Sequence, residues 1–206
     1  MATSPISKLP KSEQRELLND LNYLNLAEIK QFCKRHSIPF RITIETKNGA
    51  RKTTGEDDRK GVILERIRHF LRTGKVFSET CFPAAVVCFD PIPGQLTADD
   101  RLLYGQYDKT DRAMILLLKE LTAGQFRHGA IARILARKFW SVGIAPTFAE
   151  YAAAWLEETR AHNAPNEEWA FLSDRARQGA VPDWKKLRAA KASKVMKVLD
   201  TLLTAH

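Results

Sequence analysis

Apolar residues recur along this chain with two different periods. Over "KSEQRELLNDLNYLN", Leu17, Leu18 and Leu21 share one side of a 3.6-residue repeat, and Ser12 stands where an N-cap belongs, so a first short helix is predicted. The next stretch, "LNLAEIKQFCKRHSIP", is better signposted. Asn25 is placed as N-cap with Glu28 three residues on, Leu24 is set to staple against Ile29, and Pro39 stops the helix. Its predicted core face is Leu26, Ile29, Phe32 and Cys33. The period then shortens to two. In "RITIET", Ile42 and Ile44 point one way and Thr43 and Glu45 the other, and Asn48-Gly49 signals a hairpin through a type I′ turn, which requires positive φ twice. With those two residues as the turn, Glu45 lies opposite Lys52 and Thr46 opposite Arg51. A two-stranded ribbon is marginal alone in water, so the Ile42/Ile44 face must rest on a neighbour.

Helical spacing returns in "TGEDDRKGVILERIRHFLRTG". Thr54 and Asp57 have the spacing of a capping box, Glu56, Asp57 and Asp58 load the first turn with acid, and Val62, Ile63, Ile67, Phe70 and Leu71 form the stripe that ends at Gly74. Residues 76–96, "VFSETCFPAAVVCFDPIPGQL", have no clean period and carry Pro83, Pro91, Pro93 and Gly94. They are taken as an apolar linker that packs on a domain. Beyond it the chain is helical in "KTDRAMILLLKEL", in "GAIARILARKFW", in "TFAEYAAAWLEETRA" behind a Thr147/Glu150 capping box, and in a shorter segment over 168–178. The last helix, "PDWKKLRAAKASKVMKVLDTLL", turns Leu187, Val195, Val198, Leu199 and Leu202 inward and Lys185, Lys186, Arg188, Lys191, Lys194 and Lys197 outward. The fold class expected is mainly α. It comprises an N-terminal module over 1–75 of helix, two-stranded β-hairpin and helix, a linker over 76–96 and an all-α domain over 97–206.

Charge adds the first hint of function. The 206-residue chain carries 33 Lys and Arg against 24 Asp and Glu, a formal +9, which suits an acidic partner such as nucleic acid. Residues 1–75 hold 16 cations and 9 acids, whereas residues 76–160 hold 9 and 10, so the excess lies in the N-terminal third. No run approaches a membrane span, and the N-terminus lacks the plan of a secretory signal; a cytoplasmic protein is expected. The odd count of cysteines, Cys33, Cys81 and Cys88, agrees with a reducing compartment.

Motifs for catalysis are missing. There is no phosphate-cradling glycine loop, no G-x-S-x-G and no H-E-x-x-H, and the adjacent carboxylates Asp99-Asp100, Glu157-Glu158 and Glu167-Glu168 would diverge by about 100° on a helix. No catalytic residue, cofactor or metal is therefore assigned. Cys33 and His36 have metal-like spacing, but Cys33 lies on a core stripe and a structural zinc site needs about four ligands. The aromatics Phe139, Trp140, Phe148, Tyr151 and Trp155 have the spacing of a helical core.

The basic cluster is different in kind. Arg41, Lys47, Arg51, Lys52, Arg59 and Lys60 lie within twenty residues, interleaved with Thr53, Thr54 and Gly55. Point charges, hydroxyl donors and accessible backbone N–H groups together suit a phosphate backbone. A solvated ribbon partly neutralised by Glu45, Glu56, Asp57 and Asp58 is the alternative reading of the same residues. Asn48 is the only ribbon amide placed to read a base edge, so little sequence preference is expected.

"LNLAEIKQFCKRHSIP" followed by "TGEDDRKGVILERIRHFL" resembles the SAP module, a DNA-binding unit of helix, extended loop and helix. The matching residues are Leu26, Glu28, Ile29, Lys30, Phe32, Ile38, Thr54, Gly55, Lys60, Ile63, Leu64, Arg66 and Ile67, over roughly residues 20–74. The resemblance implies contacts at Thr54, Gly55 and Lys60, at the start of the second helix, where free N–H groups meet phosphate. It departs where "FRITIETKNGARKT" intervenes between Pro39 and Thr54, an insertion that brings Arg41, Lys47, Arg51 and Lys52 against one acid, Glu45. The stretch "YDKTDRAMILLLKEL…PTFAEYAAAW" is similar to an uncharacterised helical domain that follows SAP-like modules in some bacterial proteins; it implies a bacterial origin and transfers no activity. The expectation is a non-enzymatic protein of the cytoplasm, with association with the nucleoid as one option there, that binds duplex DNA. An adaptor that meets RNA or an acidic protein, with the helical domain recruiting a protein partner, is the alternative.

Overall fold

The computed structural model describes residues 4–91, 94–161 and 184–204. Seven α-helices lie among them: α1 (Lys11–Asp20), α2 (Leu26–Arg35), α3 (Lys60–Thr73), α4 (Arg112–Leu121), α5 (Ala130–Ser141), α6 (Phe148–Ala161) and α7 (Trp184–Thr204). A small sheet of β1 (Arg41–Glu45), β2 (Arg51–Asp57) and β3 (Cys81–Phe82) completes a mainly helical fold, as expected. The segment expected to be helical over 168–178 lies outside the described residues. No helix among the described residues is long and apolar enough to cross a membrane.

The compact units are discontinuous in sequence and do not divide at 75 and 97. Unit 1 joins Met1–Arg41, Glu56–Glu79 and Asn166–His206; unit 2 joins Ile42–Gly55 and Thr80–Pro165. The hairpin expected in the N-terminal module thus belongs with unit 2, and the C-terminal helix belongs with unit 1.

Unit 1 is built by α1, α2, α3 and α7 around Leu17, Leu21, Leu24, Ile29, Phe32, Ile63, Ile67, Leu71, Val195 and Leu199. Local signals set α2 as expected. Asn25 Oδ1 accepts the Glu28 N–H at 2.9 Å while Glu28 Oε2 accepts the Asn25 N–H at 2.7 Å, a complete capping box. Leu24 and Ile29 are both fully buried, but Leu26, read as core, is exposed. On α3 the stripe includes Leu64 in place of the exposed Val62, and Gly74, at φ 68°, closes the helix by donating its N–H to the Phe70 carbonyl at 2.7 Å. The α1 helix starts from Pro10 as N-cap, not Ser12.

The cationic face of α7 is not simply solvated. Lys191 meets Asp20 at 2.8 Å, Lys194 meets Glu16 at 2.6 Å, and Arg188 engages Glu28 and donates to the Tyr23 carbonyl at 2.9 Å. The hydrogen bond from Lys194 holds the Glu16 carboxyl below its usual range, and the Asp20 partner raises Lys191. The helix rotates accordingly: Ala192, Val195, Leu199 and Leu202 are buried and Leu187 is exposed.

The largest departure from expectation lies at the entry to α3. Thr54 caps no helix; β2 runs through it to Asp57, and α3 begins only at Lys60. Two acids meant for the first turn are engaged elsewhere. Asp57 pairs with Lys30, and Asp58 pairs with Arg66 at 2.6 Å with both side chains only 6% exposed. Arg66 also donates to the Pro39 carbonyl at 3.0 Å, and the Asp58 N–H to the Phe40 carbonyl at 2.8 Å. Breaking a buried pair strands a charge.

Unit 2 is built by α4, α5 and α6 around a core of Phe82, Leu102, Met114, Leu118, Phe126, Trp140, Phe148, Tyr151 and Trp155. The Thr147/Glu150 capping box forms, with N–H bonds of 2.7 and 3.1 Å. The expected linker is structural from Thr80 onward. It supplies β3, a 3₁₀ turn at Ala84–Val86 and the buried Phe82, Val86 and Val87, because its apolar residues find a core to fill.

Asp58→Ala is expected to destabilise unit 1 by about 3–5 kcal/mol, and adding Arg66→Met to it should recover much of the loss, since the second change removes the stranded charge; chemical denaturation of the single and double variants checks this. His36 lies between Phe32 and Phe70, with ring centroids 4.6 and 5.8 Å away. Burial first, then the Arg35 charge, lowers its pKa below the ordinary 6.5. The unfolded chain therefore binds that proton more readily, so stability is present above pH 6.5 and declines as pH falls below it. His36→Gln should flatten the loss in unfolding free energy between about pH 7.5 and 5.5 relative to the parent chain.

Candidate functional site

The hairpin of unit 2 is a positioned element. Ile42 is 1% exposed in the core of unit 2, with Ile44 packed beside it. On one side of β1, β3 pairs in parallel, Thr43 with Cys81 and Ile44 with Phe82; on the other lies β2, the outer strand. The sheet therefore has three strands, one more than expected, and the third comes from the segment read as linker.

The turn differs from the type I′ expected. Only Gly49 has positive φ, at 79°. Its N–H donates to the Thr46 carbonyl at 2.9 Å, and the Thr46 N–H donates to Ala50 at 2.8 Å, which makes a three-residue loop of Lys47, Asn48 and Gly49. Thr46 faces Ala50 instead of Arg51, a register shift of one that moves every β2 side chain relative to the expected pairing. The cause is visible in side chains: the Thr46 hydroxyl donates to the Ala50 carbonyl at 2.8 Å, and Asn48 Oδ1 accepts the Ala50 N–H at 3.3 Å.

Of the nine residues singled out from sequence, six fall in this hairpin. Lys47, Arg51, Lys52, Thr53 and Gly55 are exposed, and Thr54 is half-buried with its hydroxyl donating to the Ile42 carbonyl at 2.9 Å. Gly55 has open space where a side chain would project, so its backbone is approachable. Lys47 lies 2.9 Å from Asp90 and 5.6 Å from the centre of the Phe89 ring, but Lys47 and Asp90 are 64% and 81% exposed, and a surface pair of that kind contributes about 0–1 kcal/mol. Nothing local in the sequence pointed to Phe89 and Asp90, which follow β3 and its 3₁₀ turn more than forty residues after Lys47.

The other three belong to unit 1. Arg41 Nε lies 3.8 Å from Asp57 Oδ1, Arg59 is the N-cap residue of α3, and Lys60 Nζ donates to the Asn22 carbonyl at 2.6 Å. The resemblance placed Thr54, Gly55 and Lys60 together at a helix start. In the structure the first two are strand residues of unit 2 and the third holds a carbonyl of unit 1.

The acids that shadowed the basic cluster are engaged, Glu56 included, which is half-buried on β2 directly after Gly55. Asp58 is buried against Arg66, Asp57 is held by Lys30 and Arg41, and Glu45 accepts the Ala84 N–H at 3.4 Å. Residues 46–55 contain three cations and no carboxylate. The cations thus lie at the turn and the start of β2, and the strand ends in the acids Glu56 and Asp57.

Other candidate chemistry resolves into packing. The Tyr151 hydroxyl donates to the Ala132 carbonyl at 2.6 Å and the Trp140 indole to the Leu102 carbonyl at 3.0 Å, inside a ring cluster with Phe82, Tyr104 and Tyr107. Burial pushes the Tyr107 phenol up to about 12, and likewise the Cys33 thiol, which sits in the core of unit 1. No cluster of three or more metal-ligating side chains occurs among the described residues.

Fold and site together define a mainly helical protein with a small sheet whose β1–β2 turn and the start of β2 carry Lys47, Arg51 and Lys52. No family model matches this chain, and no curated protein or solved structure matches it.

Lys60→Met is expected to lower the stability of unit 1 by about 1–2 kcal/mol, because it removes a charged donor from the Asn22 carbonyl. Denaturant unfolding of the variant against the parent chain measures this.

Proposed function

We propose that this protein is a non-enzymatic nucleic-acid-binding protein whose hairpin, Lys47 to Gly55, meets the phosphate backbone of duplex DNA. The observation that carries the reading is the sign of the hairpin. Lys47 is exposed on the turn and Arg51 and Lys52 on a strand fixed to a core, while Glu45, Asp57 and Asp58 are occupied by other partners and Glu56 is half-buried at the far end of that strand. Counterion release from phosphates makes such contacts favourable and salt-dependent. Thr53 adds an exposed hydroxyl donor, and Gly55 an open backbone.

The reading keeps the SAP-like character of the helices flanking the insertion but moves the contact. A SAP-like contact would use the N-terminus of the second helix, yet Lys60 is turned to Asn22 and Arg59 occupies the cap position. The inserted ribbon takes over that role. A two-stranded ribbon is narrow enough for the major groove. Reading adenine in a bidentate way requires both atoms of an amide, and Asn48 uses its oxygen within the turn, so binding should be nearly indifferent to sequence.

Titration of duplex DNA at several salt concentrations tests the reading. Arg51→Ala/Lys52→Ala is expected to weaken binding across unrelated sequences and to reduce the slope of log K against log salt by about 2, near 0.9 per lost phosphate contact. Unchanged affinity and slope would remove the hairpin as the contact. Binding that survives high salt would instead favour an adaptor recruiting a protein.

A further inference from the structure

Unit 2 has a second surface that the hairpin does not use. Between the C-terminal halves of α5 and α6 runs an open groove of about 410 Å³. Its α5 side is large and apolar: Leu135, Phe139 and Val142 follow each other at helical spacing, and Ile144 extends the row. Its α6 side is small, with Ala154 and Ala161 one helical repeat apart. Val142 is 66% exposed and Ile144 49%, which is unusual for branched aliphatic side chains placed side by side.

Charge divides the same way. Lys138 stands on the α5 rim, and Glu157 and Glu158 on the α6 rim. None of the three has an ion-pair partner among the described residues, although they border one groove. Large and positive on one wall, small and negative on the other, the surface is complementary to itself under a two-fold rotation. A symmetry-related copy sets its α5 row over Ala154 and Ala161 and its Lys138 beside Glu157 and Glu158, and receives the same in return. An isologous contact of this kind makes each complementary pair twice.

We infer that this groove is a homodimer interface and that its occupant is a second copy of the chain. An unrelated apolar segment would cover Val142 and Ile144 but would need to carry both charges in the same arrangement; a second copy has them already.

Sedimentation velocity on the full chain tests this. At about 100 μM, far above a micromolar Kd, the mass should be that of a dimer. Val142→Glu/Ile144→Glu, which alters exposed side chains only, should give a monomer with an unchanged circular dichroism spectrum. Lys138→Glu alone and Glu157→Lys/Glu158→Lys alone should each weaken the dimer at least about tenfold, a loss on the scale of one charged contact or more. Mixed in equal amounts, these two charge variants should regain dimer, since each then faces its opposite. A parent chain that stays monomeric overturns the inference. So does a dimer that persists in Val142→Glu/Ile144→Glu, or a mixture of charge variants that associates no better than either alone.

Discussion

The pair between Asp58 and Arg66 is the constraint from which the arrangement around the hairpin follows. Two buried charges are tolerated only when their remaining hydrogen-bonding capacity is met, and here it is. Arg66 reaches the Pro39 carbonyl as well as Asp58, and the Asp58 N–H reaches Phe40, so one pair ties the chain entering β1 to the chain leaving β2 and to the middle of α3. With Asp58 fixed there, it is not available to cap a helix. The strand continues to Asp57 and the helix waits for Lys60.

That shift decides which charges face outward at the hairpin. Had Thr54 capped α3, three acids would have crowded its first turn beside Arg51 and Lys52, and the local field would have been mixed. Instead Asp58 is buried, Asp57 is held by Lys30 and Arg41, and Glu56 is half-buried on β2, at the other end of the strand from Arg51 and Lys52.

What could be read from sequence was local. The capping boxes at Asn25/Glu28 and Thr147/Glu150 form because both members lie within one turn and no distant group competes for them. Thr54/Asp57 has the same spacing and fails, since Lys30, 27 residues away, claims Asp57 and Ile42 claims the Thr54 hydroxyl. The alternation of Ile42 and Ile44 was legible, whereas β3 was not: two residues flanked by proline carry no periodic signal, and only the core they fill reveals them. The same limit applies to Leu26, Val62 and Leu187, each apolar and in phase with a stripe yet exposed, because a helix's phase is set by its neighbours. Of the candidate site, the hairpin and its cations were legible and its register was not, since a three-residue loop and a two-residue turn differ by side-chain bonds of Thr46 and Asn48.

Net charge alone would have misdirected attention. The helix α7 is rich in lysine and arginine, yet Arg188, Lys191 and Lys194 each face an acid of unit 1, where they help to hold the helix in place. Lys60 and Arg66 are likewise committed to carbonyls or a carboxylate. Exposure separates these cations from Lys47, Arg51 and Lys52, which all lie on the surface of the hairpin. The ion pair of Lys47 is highly exposed, a contact of small net stability. Rigid support sharpens the contrast: Ile42 is buried and β1 is bonded on both sides, so the strand that carries Arg51 and Lys52 is ordered before any ligand arrives. The cations of the turn and of the start of β2 therefore sit on a supported element, and Asn48 spends its amide oxygen within the turn.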